Sequence, residues 1–177
     1  MINTAADAKA VVLSAKFPPW GTRGQGSAFS CFEFGLETAS EYVAQANESI
    51  VTMVQIESVE GLANVEEICQ VDGIGELENS QGCFADKSVT DLVFIGPNDL
   101  ALALLGYTPA KYTEKAFLEA IDKIVATAKK HGKKVGILVP DGVAAIEAKK
   151  RFDLVALGTD VRALQAWFRK EIATARS

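Results

Sequence analysis

Histidine is almost missing from this sequence. There is one, His131, and the three cysteines, Cys31, Cys69 and Cys83, stand at unrelated spacings with no Cys-x-x-Cys pair. That scarcity argues against a His/Cys zinc cluster and against a disulfide framework. Basic clusters are missing too: the net charge is -5 and the lysines are scattered along helical segments, so neither nucleic acid nor an anionic membrane surface is an expected partner. No apolar run reaches the roughly 20 residues of a membrane span. The opening "MINTAADAKA" lacks the basic and apolar regions of a signal peptide, and a cytoplasmic location is the resulting expectation. No Gly-x-Gly-x-x-Gly turn occurs, which argues against a dinucleotide-binding fold.

What is present is a hydrophobic share of 49% beside 23% charged residues over 177 positions, enough for one globular domain with a real core. Residues 4–16 have helical apolar spacing behind a Thr4 cap, and "FPPWG" stops that helix because proline cannot continue it. "TRGQGSAFS" reads as a glycine-rich loop, and a helix over about 39–48 leads into "IVTMVQIES", a β-branched run of the buried-strand type ending at Glu57. Ser58 can cap the next helix, with Leu62, Val65, Ile68 and Cys69 on one face, and "DLVFIG" at 91–96 is a second strand. Thr113 is placed to cap a long amphipathic helix with Phe117, Ile121, Ile124 and Ala128 on one stripe, ended by Gly132. "KKVGILV", a helix over 142–151, the strand "DLVALG" and a last helix bearing Leu164, Trp167, Phe168 and Ile172 complete the chain. Continuous apolar strands that alternate with helices describe parallel βα units and an α/β fold, because crossover helices cover both faces of a parallel sheet.

In such folds the loops after the strand C-termini form the reactive face, and there Glu57 and Asp99 hold the same relative position. Two carboxylates held close in a partly dry crevice repel. One takes a proton, a basic group intervenes, or a cation binds between them. No lysine or arginine ends either strand, and two carboxylates with waters and a chelating substrate suit a hard divalent ion. The competing reading is that both acids only serve their helix starts.

Four stretches carry a resemblance: "VQIES" followed by "DGI", "DLVFIGPNDLALALLGY", "KKVGILV" and "FDLVALGTDVRAL". Together they resemble the HpcH/HpaI aldolase and citrate lyase family, most closely its class II pyruvate-dependent aldolases, over nearly the whole chain. The resemblance implies a divalent-metal-dependent aldolase that makes or breaks 2-keto acid aldol bonds with an aldehyde partner. It further implies that Glu57 and Asp99 ligate Mg2+ or Mn2+, that Gln55 touches pyruvate, and that Gly96, Pro97 and the Asn98 and Asp99 amides lie against the pyruvate carboxylate. It implies a homo-oligomer, whose terminal helix, from Trp167 and Phe168, packs on a neighbouring subunit. Against the family's (β/α)8 barrel of about 250 residues, the chain reads as the C-terminal portion, from the end of strand four at "INTA" through strand eight. The family's histidine–aspartate pair and enolate-steadying arginine have no counterpart in it. His131, beside lysines at a helix end, is expected to be a solvated surface residue.

The polar stretch "GELENSQGCFADKSVT", residues 75–90, interrupts a connection that is short in relatives. It begins Gly-Glu, as codons over a GTGAG splice site would, and its removal restores the motif in frame, so it reads as an insertion of translated intron within a single 1–177 domain. Arg23 in "GTRGQG" is the candidate catalytic group that would meet an anionic substrate or a neighbouring subunit. Trp20, Phe29, Phe32 and Phe34 are expected in interface or lid packing, and Thr159, Asp160 and Arg162 either face the reactive side or serve their helix start. Two other functions stand beside the aldolase: an acyl-CoA lyase of the citrate lyase β type, and a truncated or spliced product that binds metal weakly or docks into full-length subunits.

Overall fold

The computed structural model describes residues 1–26, 29–71 and 92–177. The expected insertion at 75–90 lies outside the described residues. The chain falls into two compact units, Met1–Val135 and Gly136–Ser177.

The first unit opens with α1 (Ala5–Ala15). Its Thr4 cap is realised as a full capping box: the Thr4 hydroxyl accepts from the Asp7 amide at 3.1 Å and the Asp7 carboxylate accepts from the Thr4 amide at 2.9 Å. After the proline stop, residues 22–26 of the expected glycine-rich loop carry no helix or strand, and a short helix, α2 (Ser30–Glu33), starts at that loop's last residue. Then α3 (Ala39–Ser49) follows with a second capping box on Thr38 and Glu41. Lys16, only 4% exposed, links α1 to α3 by donating to the carbonyls of Asn47 and Ile50 at 2.8 and 2.9 Å. A buried ammonium is tolerated there because the C-terminal carbonyls of a helix offer partial negative charge and free acceptors.

Strand β1 (Met53–Ile56) pairs in parallel with β2 (Leu92–Ile95), with Gln55 opposite Phe94 and Ile56 opposite Ile95. Val54 and Ile56 are fully buried on one face of β1, so the two-residue period puts Gln55, and Glu57 just past the strand, on the other. Ser58 caps as expected, accepting from the Gly61 amide at 2.9 Å. The helix it starts is broken at Asn64 into α4 (Val59–Ala63) and α5 (Val65–Cys69). After β2 come α6 (Pro97–Leu105) and α7 (Lys115–Lys130). The expected stripe of α7 is in the core: Phe117, Ile121, Ile124 and Ala128 are all buried. Thr113, however, is not its cap. The helix starts one residue later, at a Glu114 N-cap with no side-chain capping bond, and Thr113 uses its amide to donate to Glu114 Oε2 at 3.0 Å.

The second unit holds most of β3 (Lys134–Val139), then α8 (Gly142–Ala148), β4 (Leu154–Leu157) and α9 (Asp160–Ala175). β3 and β4 are parallel, with Ile137 opposite Val155. The αβ alternation thus has its parallel strand pairs in both units, the α/β class the sequence pattern implies. No described helix is long and apolar enough to cross a membrane.

Candidate metal and keto-acid site

Parallel pairing sets the site. Because Ile56 lies opposite Ile95, the next residues, Glu57 and Gly96, emerge side by side at the C-terminal ends of their strands, joined by the Gly96 amide donating to the Ile56 carbonyl at 3.3 Å. Gly96 admits Glu57 only because it has no side chain: a Cβ there would lie 2.2 Å from Glu57 Oε2 and 2.6 Å from Gln55 Nε2. Gln55 Nε2 donates to Glu57 Oε2 at 2.7 Å, which fixes the carboxylate's orientation. Two of the expected substrate-contact residues therefore touch one of the expected metal ligands.

Asp99 completes the cluster from the first turn of α6. Its carboxyl is close enough to Glu57 to bear on that acid's ionisation. Burial, then the charge of Asp99, pushes the Glu57 carboxyl above its ordinary 4.5, and the Met1 ammonium, 3.7 Å from Glu57 Oε1, and the Gln55 amide only partly offset this. The crowded-acid arrangement expected from the strand ends is therefore present. Asp99 does not cap its helix: the N-cap of α6 is Gly96 and no side chain caps it, while Asp99 stands in the first turn, where a negative charge also suits the helix dipole. Ser58, not Glu57, caps α4.

The donor set suits a hard divalent cation. It supplies two carboxylates beside an uncapped helix start, and Glu57 is in an environment that penalises its charge unless a proton or cation neutralises it. Among the described residues no group of three or more His, Cys, Asp and Glu side chains gathers for a metal, so further ligands would come from water and substrate. Asn98 lies beside Asp99 with its side-chain oxygen accepting from the Tyr112 hydroxyl. That Tyr112 contact has no signal in the sequence, since the two residues are 14 apart across a helix and a loop.

Arg23 is brought together with other partners. Its guanidinium lies 4.7 Å from the centre of the Phe17 ring and 5.7 Å from that of Tyr42, and Nη2 donates to the Tyr42 hydroxyl at 3.0 Å. Gln25, Ser30 and Tyr42 share a small cavity with it. Nearby, Phe29, Phe32 and Trp20 are exposed, while Phe34 stacks on Tyr42 at 5.4 Å. His131 departs from expectation. Its ring is only 19% exposed and lies 2.8 Å from Glu66 Oε1, which also receives Lys130 Nζ at 2.5 Å. The solvated-residue reading overlooked that α5 and α7 pack together and bring an acid to the lysine-rich helix end. Thr159 and Asp160 are engaged at the start of α9, with the Thr159 hydroxyl accepting from the Arg162 amide at 3.3 Å and Asp160 Oδ1 accepting from Val161 at 2.8 Å.

The sequence pattern of the HpcH/HpaI aldolase/citrate lyase family matches residues 1–165. The hydroxypyruvate/pyruvate aldolase of Rhizorhabdus wittichii is 37% identical over 179 residues, covering all of this chain and 63% of that protein. The 5-keto-4-deoxy-D-glucarate aldolase of Klebsiella pneumoniae is 38% identical over 166 residues, covering 90% of this chain and 55% of that one. Among solved structures, an HpcH/HpaI aldolase/citrate lyase family protein from Burkholderia cenocepacia J2315 superposes with a TM-score of 0.74 at 27% identity, covering 100% of this chain and 63% of the other. The HpcH/HpaI aldolase of Desulfitobacterium hafniense DCB-2 gives 0.73 at 25% identity, with coverage of 99% and 61%. The chain therefore spans less than two thirds of the length of these relatives, and its α/β fold is that of part of a (β/α)8-type barrel.

Proposed function

Because the chain belongs to the HpcH/HpaI aldolase/citrate lyase family, we propose that it serves a divalent-metal-dependent carbon–carbon lyase that cleaves or forms 2-keto acid aldol bonds, with Glu57 and Asp99 as the protein ligands of Mg2+ or Mn2+. The observation that supports this most directly is the convergence of these two carboxyls around a glycine that cannot be given a Cβ, with Glu57 held above its ordinary pKa. A divalent cation bound there would supply Lewis acidity to the enolate that forms when the carbon–carbon bond breaks.

The chain's own residues have separable parts. Gln55 orients the Glu57 carboxylate through its 2.7 Å bond and presents its amide to the keto acid. Pro97 has no N–H, so the free first-turn amides of Asn98 and Asp99 are the donors for the keto-acid carboxylate, beside Gly96. Arg23 is proposed to meet an anionic substrate from the glycine-rich loop. Arg23→Ala and Arg23→Lys test that, since a residue that only packs between Phe17 and Tyr42 would alter stability and leave keto-acid affinity as it was. For proton transfer His131 offers no help to this site: it precedes β3 and is bonded to Glu66, whereas the carboxyls follow β1 and β2. Positioned acid–base groups are typically worth about 10²–10⁴-fold in rate. Retro-aldol turnover by residues 1–177 alone should therefore be slow. A cytoplasmic location and a homo-oligomer belong to the same proposal.

Isothermal titration with Mn2+ tests it. Wild type should bind, pyruvate or oxalate should tighten the ion by replacing two waters, and Glu57→Ala or Asp99→Ala should each weaken it severely. Undiminished binding in both variants would remove the metal assignment.

A further inference from the structure

Helix α6 has no side-chain cap to hold its first turn. Thr4, Thr38 and Ser58 fix α1, α3 and α4 with side-chain caps, but the N-cap of α6 is a glycine with none. The turn is tied from outside instead. Gly106, at φ +79°, ends the helix in the left-handed conformation and reverses the chain. The following loop returns toward Asn98: the Thr108 hydroxyl reaches the Asn98 carbonyl at 3.5 Å and the Tyr112 hydroxyl donates to Asn98 Oδ1. The Tyr112 ring cannot follow a wandering asparagine, because it stacks on Phe117 with centres 4.8 Å apart and planes at 25°, and Phe117 is 3% exposed in α7.

An asparagine amide has an acceptor end and a donor end. With Oδ1 taken by Tyr112, the Nδ2 end of Asn98 carries no hydrogen bond among the described residues. We propose that Tyr112 is a positioning residue: it holds Asn98 so that the Nδ2 donors, next to the first-turn amides and one residue from Asp99, bind an oxygen of the substrate. This rests on the keto-acid reading above, and it adds a side-chain donor to backbone ones, which would favour ligands with an anionic or hydroxyl oxygen at that point.

The test uses residues 1–177, with Mn2+ alone and then oxalate at saturating Mn2+ as probes in calorimetric titrations. Tyr112→Phe keeps the ring stack and removes only the hydroxyl. It should weaken oxalate about fivefold, the size of one ordinary hydrogen bond, with Mn2+ affinity and urea midpoint little changed. Asn98→Ala should weaken oxalate at least as much, and Tyr112→Phe added to it should have no further effect, because the hydroxyl acts through Asn98. A Tyr112→Phe variant with wild-type oxalate affinity, or one whose effect persists on the Asn98→Ala background, overturns the positioning role while leaving the metal reading intact. Wild-type protein that binds no Mn2+ overturns both.

Discussion

Each of the four strands among the described residues has an acid a few residues or fewer past its end, yet the first unit and the second use those acids differently. In the second unit Asp141 is the N-cap of α8, its Oδ1 accepting from the Ala144 amide at 2.9 Å, and Asp160 accepts from Val161 behind the Thr159 cap of α9. In the first unit Ser58 takes the cap of α4 and Gly96 the N-cap of α6, and Glu57 and Asp99 are left to face each other. An acid at a helix start is informative only once the cap is assigned elsewhere. An acid that caps, as Asp141 does, has its charge satisfied by the helix; Glu57, which does not cap, bears the cost of burial and of the neighbouring Asp99 charge.

The widest separation should come from ligand binding. Glu57→Ala or Asp99→Ala should cut Mn2+ affinity by more than about 100-fold, beyond what outer-shell changes cost, while Asp141→Ala leaves it within twofold by titration calorimetry. Equal losses in all three would collapse the distinction. Next is Gly96→Ala. A Cβ 2.2 Å from Glu57 Oε2 must displace that carboxylate, so Mn2+ affinity should fall about tenfold or more, on the scale of lost second-shell order, with near-normal circular dichroism.

Stability should invert the ranking. Asp141→Ala removes a cap and should cost about 1 kcal/mol in urea unfolding, whereas Glu57→Gln should stabilise the metal-free protein at neutral pH. The sign follows from linkage. Glu57 binds its proton more tightly folded than unfolded, so its contribution is most favourable below its ordinary 4.5 and is lost as pH rises through the raised folded value. Unfolding in EDTA across that window should show the slope in wild type and a smaller one in Glu57→Gln. Mn2+ should run the opposite way, binding more weakly as pH falls through the same range.

The smallest effect sharpens a second contrast between the units. α7 and α9 each have 16 residues and an apolar stripe, but α7 buries its stripe and α9 buries nothing, leaving Leu164, Trp167, Phe168 and Ile172 exposed. In urea unfolding Ile124→Ala should cost about 2–5 kcal/mol; Leu164→Ala should stay within about 0.5 kcal/mol, as exposed positions do. A large loss at Leu164 would mean that its face is covered in solution.

Period and punctuation by themselves determined a great deal. The parallel αβ order, the Thr4 and Ser58 caps, the Phe117–Ala128 stripe and the two strand-end acids follow from local spacing, because helix and strand periods are properties of the chain itself. What failed locally failed for a local reason: Thr113 and Glu114 are both plausible at the helix start, and only the realised backbone chose Glu114. Other features required partners distant in sequence. Register between β1 and β2 set Glu57 against the bare Cα of Gly96. Packing of α5 on α7 gave His131 to Glu66, and the turn at Gly106 carried Tyr112 back to Asn98. Hydrogen bonds and charge pairs act over a few ångströms of space, and only the folded chain decides which residues come that close.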